Sequence, residues 1–440
     1  MTDYSNEPDF REIPFSEHGI ARSHISNAAL KVTDALQNAG YKAYVVGGGP
    51  RDLLLKRAPK DFDIGTSATP EQVRKVFPRA RLIGRRFRLA HVRFGREIIE
   101  VATFRGTSDD GDRSVAGSGR VLRDNVFGNE AEDAIRRDFT INALMYDPSN
   151  QTLRDYTNGY HDIQQRCLRL IGDPEERYRE DPVRMLRAIR FKTKLDLKID
   201  SATDQPIREM AECLVNIPAA RLLDELLKLM MGGAAWPTFQ ALVEYELWES
   251  LFPGLIRQPE TPPALVEHAL KNTDQRVRND QPVTPGFLFA ALFWPALQLE
   301  MQNNKAQRPI MDQLAYAAER VFSRYTNNVS IHRRFSTMAK EIWMMQPRFE
   351  RRRGKRAMRL LGEKRFRAAY DFLLLRVHEE PELADSIDWW TRVQDVAEEE
   401  RRAMVFGHSK PKHQQPRKRT SSKQSKPGKD NPLPASSQQS

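Results

Sequence analysis

The chain has 440 residues, of which 40% are apolar, and this is enough for two or three domains with buried cores. Its two cysteines, Cys167 and Cys213, exclude a disulfide scaffold and a zinc tetrad and favour a reducing compartment. The formal charge of +11 divides into +9 over residues 401–440, +8 over residues 348–367 and −6 elsewhere. The excess positive charge therefore lies in the C-terminal quarter, which is typical of proteins that bind a polyanion.

The N-terminus lacks the basic-then-apolar layout of a signal peptide. No apolar run approaches the ~18 residues that a membrane-spanning helix requires. We therefore expect a cytoplasmic protein without a membrane span.

The first half of the chain predicts alternating helices and strands. Residues 1–20 show no periodicity and are expected to be irregular. The elements predicted after them are a helix over 26–39, strands over 44–46 and 60–64, a helix from Thr69 to Phe77, β segments over 81–84, 88–94 and 97–104, a flexible loop over 106–120, a helix over 130–145, and a β pair, 152–156 and 167–171, around an Asn158-Gly159 turn.

From about residue 175 to 400 the pattern is helical, and residues 406–440 are too polar to bury a core. The sequence thus predicts an α+β head with a small mixed sheet and helices, an all-α neck and body, and a disordered basic C-terminal tail. The predicted boundaries are 1–20 for the irregular N-terminus, 21–172 for the head, 173–235 for the neck, 236–400 for the body and 401–440 for the tail.

Residues 44–64 form the most informative stretch, in which an apolar strand runs into three glycines, a short helix and a second strand with two aspartates. Alternation on that strand projects Asp61 and Asp63 together, with Cα atoms roughly 6.5 Å apart, and turns Phe62 and Ile64 into a core. Adjacent carboxylates repel each other, and a hard cation such as Mg²⁺ removes that penalty. Because a glycine turn can also bring backbone N–H groups to a phosphate, the pattern predicts metal-assisted chemistry on a nucleoside triphosphate.

Further motifs follow in a fixed order. They are Gly-Arg-Arg-Phe-Arg-Leu-Ala-His-Val at 84–92, Arg-Arg-Asp-Phe-Thr-Ile-Asn-Ala at 136–143, Glu-Asp-Pro-Val-Arg at 180–184 and Phe-Leu-Phe-Ala-Ala-Leu-Phe-Trp at 287–294. With residues 44–64, they resemble the polymerase-beta-like nucleotidyltransferases, in the branch of tRNA CCA-adding enzymes and bacterial poly(A) polymerases. The resemblance covers about residues 20–400, and the segments 84–92 and 287–294 are similar to the bacterial poly(A) polymerase family in particular.

The resemblance implies a catalytic head over 21–172. Asp61 and Asp63 would bind two Mg²⁺ ions, or Mn²⁺ in their place, and Asp138 would be catalytic as a third acid or a ribose contact. Glu100 is the first candidate for the third metal carboxylate, and the alternative is an ordinary edge-strand glutamate. The nucleotide's phosphates and sugar are assigned to Gly47, Gly48, Arg51, Arg86, Arg88, Arg137 and Asn142. Arg86 and Arg88 are expected on one face of a strand, and His91 as a packed strand residue without a catalytic role.

The motif at 180–184 implies that the neck reads the incoming base. Asp181 is expected to cap a helix that begins at Pro182, with Arg184 and Arg187 on the same face. In the family, the aspartate accepts from an exocyclic amine and the arginine donates to a ring nitrogen.

The basic segments predict the RNA-binding surface. Residues 348–367 alternate Arg and Lys with apolar residues, which predicts an amphipathic helix, and its alternative is a solvated structural helix. The residues assigned to RNA are Arg351, Arg352, Arg353, Lys355 and Arg356 in this segment and Arg417, Lys418 and Arg419 in the tail. Residues 287–294 are expected to form helix core.

The implied function is template-independent addition of AMP from ATP to RNA 3′ ends, with release of pyrophosphate, in mRNA processing and RNA turnover. The nearest alternative is a CCA-adding enzyme, and the second is a non-catalytic RNA-binding protein on the same scaffold. ATP and RNA 3′ ends are the expected partners, and we expect a monomer.

Overall fold

The computed structural model describes residues 10–84, 88–106, 115–116, 120–121, 127–303 and 309–407. Its N-terminal part contains the strands. They are β1 Arg11–Ile13, β2 Ala43–Val46, β3 Asp63–Thr66, β4 Arg81–Ile83, β5 Leu89–Phe94, β6 Glu97–Thr103, β7 Val115–Ala116, β8 Arg120–Val121, β9 Met145–Asp147, β10 Thr152–Asp155, β11 Cys167–Leu168 and β12 Lys198–Ile199.

Eight of these strands form one mixed sheet in the order β1-β10-β9-β2-β3-β6-β5-β4. Every neighbouring pair is antiparallel except β3 and β6, which run parallel. Two further pairs stand apart from this sheet, β11 with β12 and β7 with β8. The mixed sheet confirms the predicted α+β head.

Helices cover part of the sheet and form nearly all of the chain after it. They are α1 Phe15–His18, α2 Asn27–Asn38, α3 Gly48–Leu54, α4 Pro70–Val76, α5 Glu130–Ile135, α6 Gly159–Gln164, α7 Pro174–Glu180, α8 Val183–Leu195, α9 Ser201–Glu209, α10 Ala219–Met230, α11 Ala235–Glu244, α12 Leu247–Leu251, α13 Ala264–Arg278, α14 Pro285–Leu292, α15 Trp294–Asn303, α16 Ile310–Tyr325, α17 Arg333–Met345, α18 Lys355–Leu361, α19 Phe366–Arg376, α20 Ala384–Asp395 and α21 Glu398–Phe406. The predicted all-α region is confirmed, apart from the two-residue strand β12.

Local signals explain several of these boundaries. Thr69 and Gln72 form the predicted capping box at the start of α4, with the Thr69 Oγ1 accepting from the Gln72 N–H at 3.3 Å. The side chain of Ser26 caps α2 in the same way, by accepting from the N–H of Ala29 at 3.2 Å. Short side-chain caps of this kind are readable from sequence because donor and acceptor are three residues apart.

Predictions for three segments of the N-terminal part are wrong in kind or in extent. Residues 1–20 are not irregular throughout, because Arg11–Ile13 pairs with Leu153–Asp155 at one edge of the sheet. The helix predicted over 130–145 ends at Ile135. A separate 3₁₀ turn follows it at Thr140–Asn142. The predicted β pair around Asn158-Gly159 is not a hairpin, because α6 begins at Gly159 and β11 pairs with β12 instead.

The buried apolar side chains form three clusters. The largest runs from Ile13 in β1 to Leu375 in α19, so the sheet and most helices share one continuous core. A smaller cluster on the other face of β2 contains Tyr44 and Val46. A third is built around Trp390 and joins the helices that follow residue 344. The core role predicted for residues 287–294 is confirmed, since Leu288 to Trp294 are all buried.

The basic segment 348–367 is not one amphipathic helix. A 3₁₀ turn at Gln346–Glu350, helix α18 and the start of α19 divide it, with Gly354 and Gly362 at the breaks. Its apolar members Leu360 and Phe366 still enter the core around Trp390. In the part of the chain that the structure describes, no helix combines the length and apolarity needed to cross a bilayer.

Candidate active site

The turn between β2 and α3 places a glycine beside an acid and a base. Gly47 has φ +71° and ψ −124°, a conformation that strongly favours glycine. A Cβ at this position would lie 3.5 Å from Nη1 of Arg137 and 3.9 Å from Oδ2 of Asp63. The turn thus leaves its backbone bare between two side chains of opposite charge.

Asp63 lies between two other carboxylates. It is the first residue of β3, where it is opposite Val46 of β2 on one side and Glu100 of β6 on the other. Burial and the charges of Asp61 and Glu100 raise the pKa of Asp63 to about 6, against the opposing charge of Arg137. The site therefore concentrates negative charge that protein cations do not neutralise.

The alternation predicted for this segment holds, although the predicted strand 60–64 is wrong in its bounds. β3 begins at Asp63, so Asp61 and Phe62 precede it. Phe62 and Ile64 are buried, whereas Asp61 is exposed and Asp63 half-buried. The two aspartates thus stand on the side away from the core.

Glu100 belongs to an interior strand, which makes the edge-strand alternative wrong. β6 lies between β3 and β5, and the Oε1 of Glu100 is 3.3 Å from Nε2 of His91, its partner across the β5–β6 pair. The sequence analysis gave His91 no role. The two-residue turn at Gly95 and Arg96 was a usable signal, because it fixes the hairpin register that brings His91 to Glu100.

These carboxylates are neighbours but do not form a closed ligand set. Across the described ranges, no three Asp, Glu, His or Cys side chains converge closely enough to hold a metal ion. Three oxygen donors that repel one another nevertheless suit a hard divalent cation, since a cation would both bind them and relieve the repulsion.

Asp138 is engaged on both oxygens. Its Oδ2 accepts from Nε of Arg187 at 2.6 Å, and its Oδ1 accepts from Nδ2 of Asn142 at 3.0 Å and from the Phe139 N–H at 2.9 Å. Burial alone would raise the pKa of Asp138, but the Arg187 charge and these hydrogen bonds outweigh it and hold the pKa below its usual value. Asp138 therefore joins the sheet region to α8 as an ionised anchor.

The same network continues to the helix after the glycines. Arg51 of α3 donates from Nη1 to Oδ1 of Asn142 at 2.7 Å, and its other nitrogens contact Asp52. Arg137 donates to Oδ2 of Asp133 at 2.8 Å and to the carbonyl oxygen of Asn142 at 3.1 Å. Asn142 thus connects Arg51 and Arg137, two residues assigned to the nucleotide, with the catalytic candidate Asp138.

Phe191 of α8 is a residue that the sequence analysis missed. The guanidinium carbons of Arg51, Arg187 and Arg190 lie 5.1, 5.4 and 4.5 Å from the centre of its ring. The ring is 4% exposed and so serves as a common face for three cations from two elements. Its place four residues after Arg187 was the only local signal.

Asp181 and Arg184 contact each other only through the backbone, where the Arg184 N–H donates to the Asp181 carbonyl oxygen at 3.0 Å, and their side chains bind other residues. Asp181 ends α7, accepts from the Val183 N–H at 3.3 Å and pairs with Nη2 of Arg221 at 2.6 Å. Arg184 donates to Oε2 of Glu180 at 2.7 Å. The predicted helix start at Pro182 is one residue early, since α8 begins at Val183. Arg187 points to Asp138 instead of sharing contacts with these two.

The remaining assigned residues lie elsewhere or outside the described residues. Arg88 lies immediately before β5 and forms an exposed ion pair with Glu71 at 3.0 Å. The predicted strand face shared by Arg86 and Arg88 stays a prediction, since Arg86 lies outside the described residues. Arg351, Arg352, Arg353, Lys355 and Arg356 are all exposed. The disordered tail predicted over 401–440 is wrong for residues 401–406, which belong to α21. Residues 408–440, with Arg417, Lys418 and Arg419, lie outside the described residues, as do Arg86 and most of the loop predicted over 106–120.

Three segments of the chain match known protein families. Residues 43–169 match the poly A polymerase head domain, residues 196–258 a probable RNA and SrmB-binding site of polymerase A, and residues 306–424 the polymerase A arginine-rich C-terminus. The chain is 48% identical to poly(A) polymerase I of Salmonella typhi over 90% of its own length and 89% of that protein. This chain belongs to the poly(A) polymerase family.

CCA-adding enzymes are more distant relatives of this member of the poly(A) polymerase family. The CCA-adding enzyme of Lactobacillus helveticus is 38% identical over 51% of this chain and 54% of its own length. The structure titled Thermotoga maritima CCA-adding enzyme complexed with tRNA shares the fold, with a TM-score of 0.53, 21% identity and coverage of 78% of this chain and 75% of that one.

Proposed function

We propose that this chain is a polynucleotide adenylyltransferase that transfers AMP from ATP to RNA 3′ ends without a template and releases pyrophosphate. The observation that carries the proposal is the group of Asp61, Asp63 and Glu100 beside the Gly47 turn, where the pKa of Asp63 is raised to about 6. Family membership over nine-tenths of the chain supports the same activity, with roles in mRNA processing and RNA turnover.

The donor set fits the divalent cations expected for this chemistry. Asp61 and Asp63 would hold Mg²⁺, in two sites or with Mn²⁺ in its place, and Glu100 is the proposed third carboxylate. When bound, such ions activate an attacking hydroxyl and stabilise a departing pyrophosphate.

The proposed nucleotide contacts surround this group. Gly47 and Gly48 would offer backbone N–H groups to the triphosphate, and Arg51 and Arg137 would bind its oxygens through charge-assisted hydrogen bonds. Asp138 would act by holding Asn142 and Arg187 in place, because both of its oxygens already accept hydrogen bonds. Positioning of this kind is a large part of catalysis by nucleotidyl transfer.

Base selection is assigned to Asp181 and Arg184. Each side chain is held by a neighbouring residue, Asp181 by Arg221 and Arg184 by Glu180. A carboxylate acceptor and a guanidinium donor fixed in this way would present a pattern that adenine's amino group and ring nitrogen can match.

RNA would lie along the basic surface of residues 351–356, with salt-sensitive help from the tail. We propose the domain boundaries 21–172, 173–235 and 236–400 for head, neck and body. The match over 43–169 supports the head, whereas the matches over 196–258 and 306–424 run across the ends proposed for the neck and the body. A cytoplasmic monomer is likewise a proposal.

The decisive experiment removes each metal-binding carboxylate without changing its size. Asp61→Asn and Asp63→Asn are each expected to reduce ATP-dependent, Mg²⁺-dependent pyrophosphate release by at least about 1,000-fold, because charge that positions the cations is lost. RNA affinity, measured by fluorescence anisotropy, should stay unchanged. Asp196→Asn is the control, since that side chain is fully exposed and distant in sequence. Full activity in either active-site variant would contradict the metal assignment.

A CCA-adding activity is the alternative that the more distant relatives support. One assay offers ATP with a generic oligonucleotide, and a second offers CTP and ATP with tRNA that lacks its 3′ end. Long A-tails in the first assay support our proposal. Incorporation of CTP that stops after a few residues would favour the alternative, and no pyrophosphate release in either would favour a non-catalytic RNA-binding protein.

A further inference from the structure

A cavity of about 620 Å³ lies in the helical body between α13, α14 and α19, and none of its lining residues belongs to the sheet region. Phe287, Leu288, Met338, Leu374 and Leu375 give it an apolar floor. Its volume falls within the range of ligand sites, which is roughly 300–1,000 Å³. It is therefore separate from the candidate active site and large enough for a nucleotide.

The rim of this cavity is basic. Arg276, Lys364, Arg365 and Arg367 line it, and all but Arg365 are exposed. Arg276 is fixed by hydrogen bonds to the carbonyl oxygen of Pro282 at 3.0 and 3.1 Å. Arg365 is also paired with Oε2 of Glu341 at 2.9 Å. Cations beside apolar lining residues complement a group that has an anionic and an aromatic part.

One acidic residue, Asp371 of α19, stands among these cations. It pairs with Nε of Arg367 at 3.0 Å and retains 35% side-chain exposure, so its oxygens keep room for further donors. Burial raises the pKa of Asp371, while Arg367 and Arg276 oppose that shift. A carboxylate in such a setting accepts strongly from amino or ring N–H groups.

We propose that this cavity binds one unstacked nucleotide of the single-stranded RNA substrate, with its base on the Phe287 floor, its amino edge toward Asp371 and its flanking phosphates at the basic rim. The inference rests on the proposed function, because it takes RNA as the substrate. Bases of single-stranded RNA are commonly splayed out and stacked on side chains in this way. The cavity would thus hold the RNA at a point other than its 3′ end.

The test scans an RNA 20-mer for the base that enters the cavity. Single abasic sites are placed at successive positions, and the Kd for the whole chain is measured by fluorescence anisotropy. One position is expected to weaken binding about five- to tenfold, as for loss of a stacked base. Ala368→Leu fills the cavity and Asp371→Asn removes the carboxylate. In both variants, an abasic site at that position should raise the Kd less than twofold. Asp385→Asn and Ala384→Leu, on the exposed start of α20, are the matched controls and should keep the full penalty.

Photo-crosslinking distinguishes a nucleotide of RNA from free AMP as the occupant of the cavity. RNA carrying one 8-azidoadenosine at the sensitive position should label peptides that contain Phe287, Met338 or Leu374, and free 8-azido-AMP should label them only at far higher concentration. Labelling by free AMP and not by RNA would overturn RNA as the occupant. A flat abasic scan, or one that the cavity variants do not change, would overturn the proposal.

ATP incorporation on a short primer, measured on the same preparations, keeps the two proposals distinguishable. An abasic scan without a sensitive position, together with normal ATP incorporation, would contradict only the cavity proposal. Absent incorporation in the unmodified chain sinks the proposed function instead.

Discussion

At the scale of single residues, the site depends on a buried aromatic ring as much as on charged groups. Phe191 contacts Arg51 and Arg187, which belong to different parts of the chain and meet the same hydrogen-bond network. Cations of like charge repel at such distances, and the negative face of a ring offsets that repulsion. Phe191 is thus expected to position Arg51 and Arg187, which are proposed nucleotide contacts.

Phe191→Leu is expected to raise the KM for ATP about three- to tenfold, because cation–π contacts are worth about 0.5–2 kcal/mol and Leu keeps most of the apolar bulk. The Kd for RNA should not change. The measurement is steady-state pyrophosphate release over a range of ATP concentrations, with RNA binding in parallel.

Phe239→Leu provides the matched control, since Phe239 of α11 is also buried and contacts tryptophans instead of arginines, stacking on Trp236 and meeting Trp248 edge to face. An equal rise in KM in both variants would mean that loss of packing explains the effect and that Phe191 has no positioning role.

At the scale of elements, close packing of α6 fixes the turn that carries Asn142. A Cβ on Gly159 would lie 2.2 Å from the carbonyl oxygen of Thr140, closer than atoms can approach. The Oγ1 of Thr140 also donates to Oδ2 of the buried Asp162 at 2.7 Å. Contacts with α6 therefore fix the position of the 3₁₀ turn at Thr140–Asn142.

Gly159→Ala is expected to lower the free energy of unfolding by about 1–3 kcal/mol, the usual cost of overpacking. Urea denaturation monitored by circular dichroism measures this. Gly362→Ala is the control, because its Cβ would meet nothing closer than 3.6 Å. If both variants lost the same stability, the contact with Thr140 would not be the cause.

His18 joins α1 to the turn before β10, and it does so as a neutral ring. Its Nδ1 accepts from the Ile20 N–H at 2.9 Å, so Nε2 carries the proton and donates to the Gln151 carbonyl oxygen at 3.0 Å. Burial lowers the pKa of His18 below its model-compound value of 6.5. The folded state therefore binds fewer protons than the unfolded state just below that pH.

Stability is accordingly expected to fall as the pH drops below 6.5, by at most about 1.4 kcal/mol per pH unit from this group. The contribution is complete above 6.5 and is lost as the pH falls toward the folded-state pKa. Urea unfolding between pH 7.5 and 5 measures it. His18→Gln should have a flatter profile, and an identical slope in both proteins would show that His18 does not titrate as described.

At the scale of the whole molecule, the exposed arginines proposed to bind RNA and the carboxylates proposed to bind metal belong to different parts of the fold. The sheet region presents Asp61, Asp63 and Glu100, whereas the exposed arginines at 351–353 belong to the smaller part built around Trp390. RNA affinity should therefore be governed by a surface other than the one that performs the chemistry.

Changing Arg351, Arg352 and Arg353 to Gln together is expected to reduce the slope of log K against log salt by about 2, since each phosphate contact on a single strand contributes about 0.7. RNA binding from 50 to 300 mM KCl measures the slope, and ATP KM should stay constant.

The triple change of Arg74, Lys75 and Arg79 to Gln is the control. These residues are exposed and lie in or just after α4, and replacing them removes the same net charge from the sheet region. An equal loss of slope in the control would show that net charge, and not the 351–353 surface, drives binding.

Features that depend on neighbours along the chain could be predicted from the amino-acid sequence alone. Alternation placed Asp61 and Asp63 opposite Phe62 and Ile64, and the capping box at Thr69 fixed a helix start, because these interactions span only a few residues. The order of motifs determined the family and, with it, the α+β head and helical body.

Contacts between residues that are distant in sequence became apparent only from the three-dimensional fold. Asp63 and Glu100 face each other across the parallel strands β3 and β6. Asp138 is bound by Arg187, and Asp181 is bound by Arg221. The edge pairing of β1 with β10 and the early end of α5 were missed for the same reason. Strand pairing and buried ion pairs close long loops, and local periodicity carries no information about which loop closes on which.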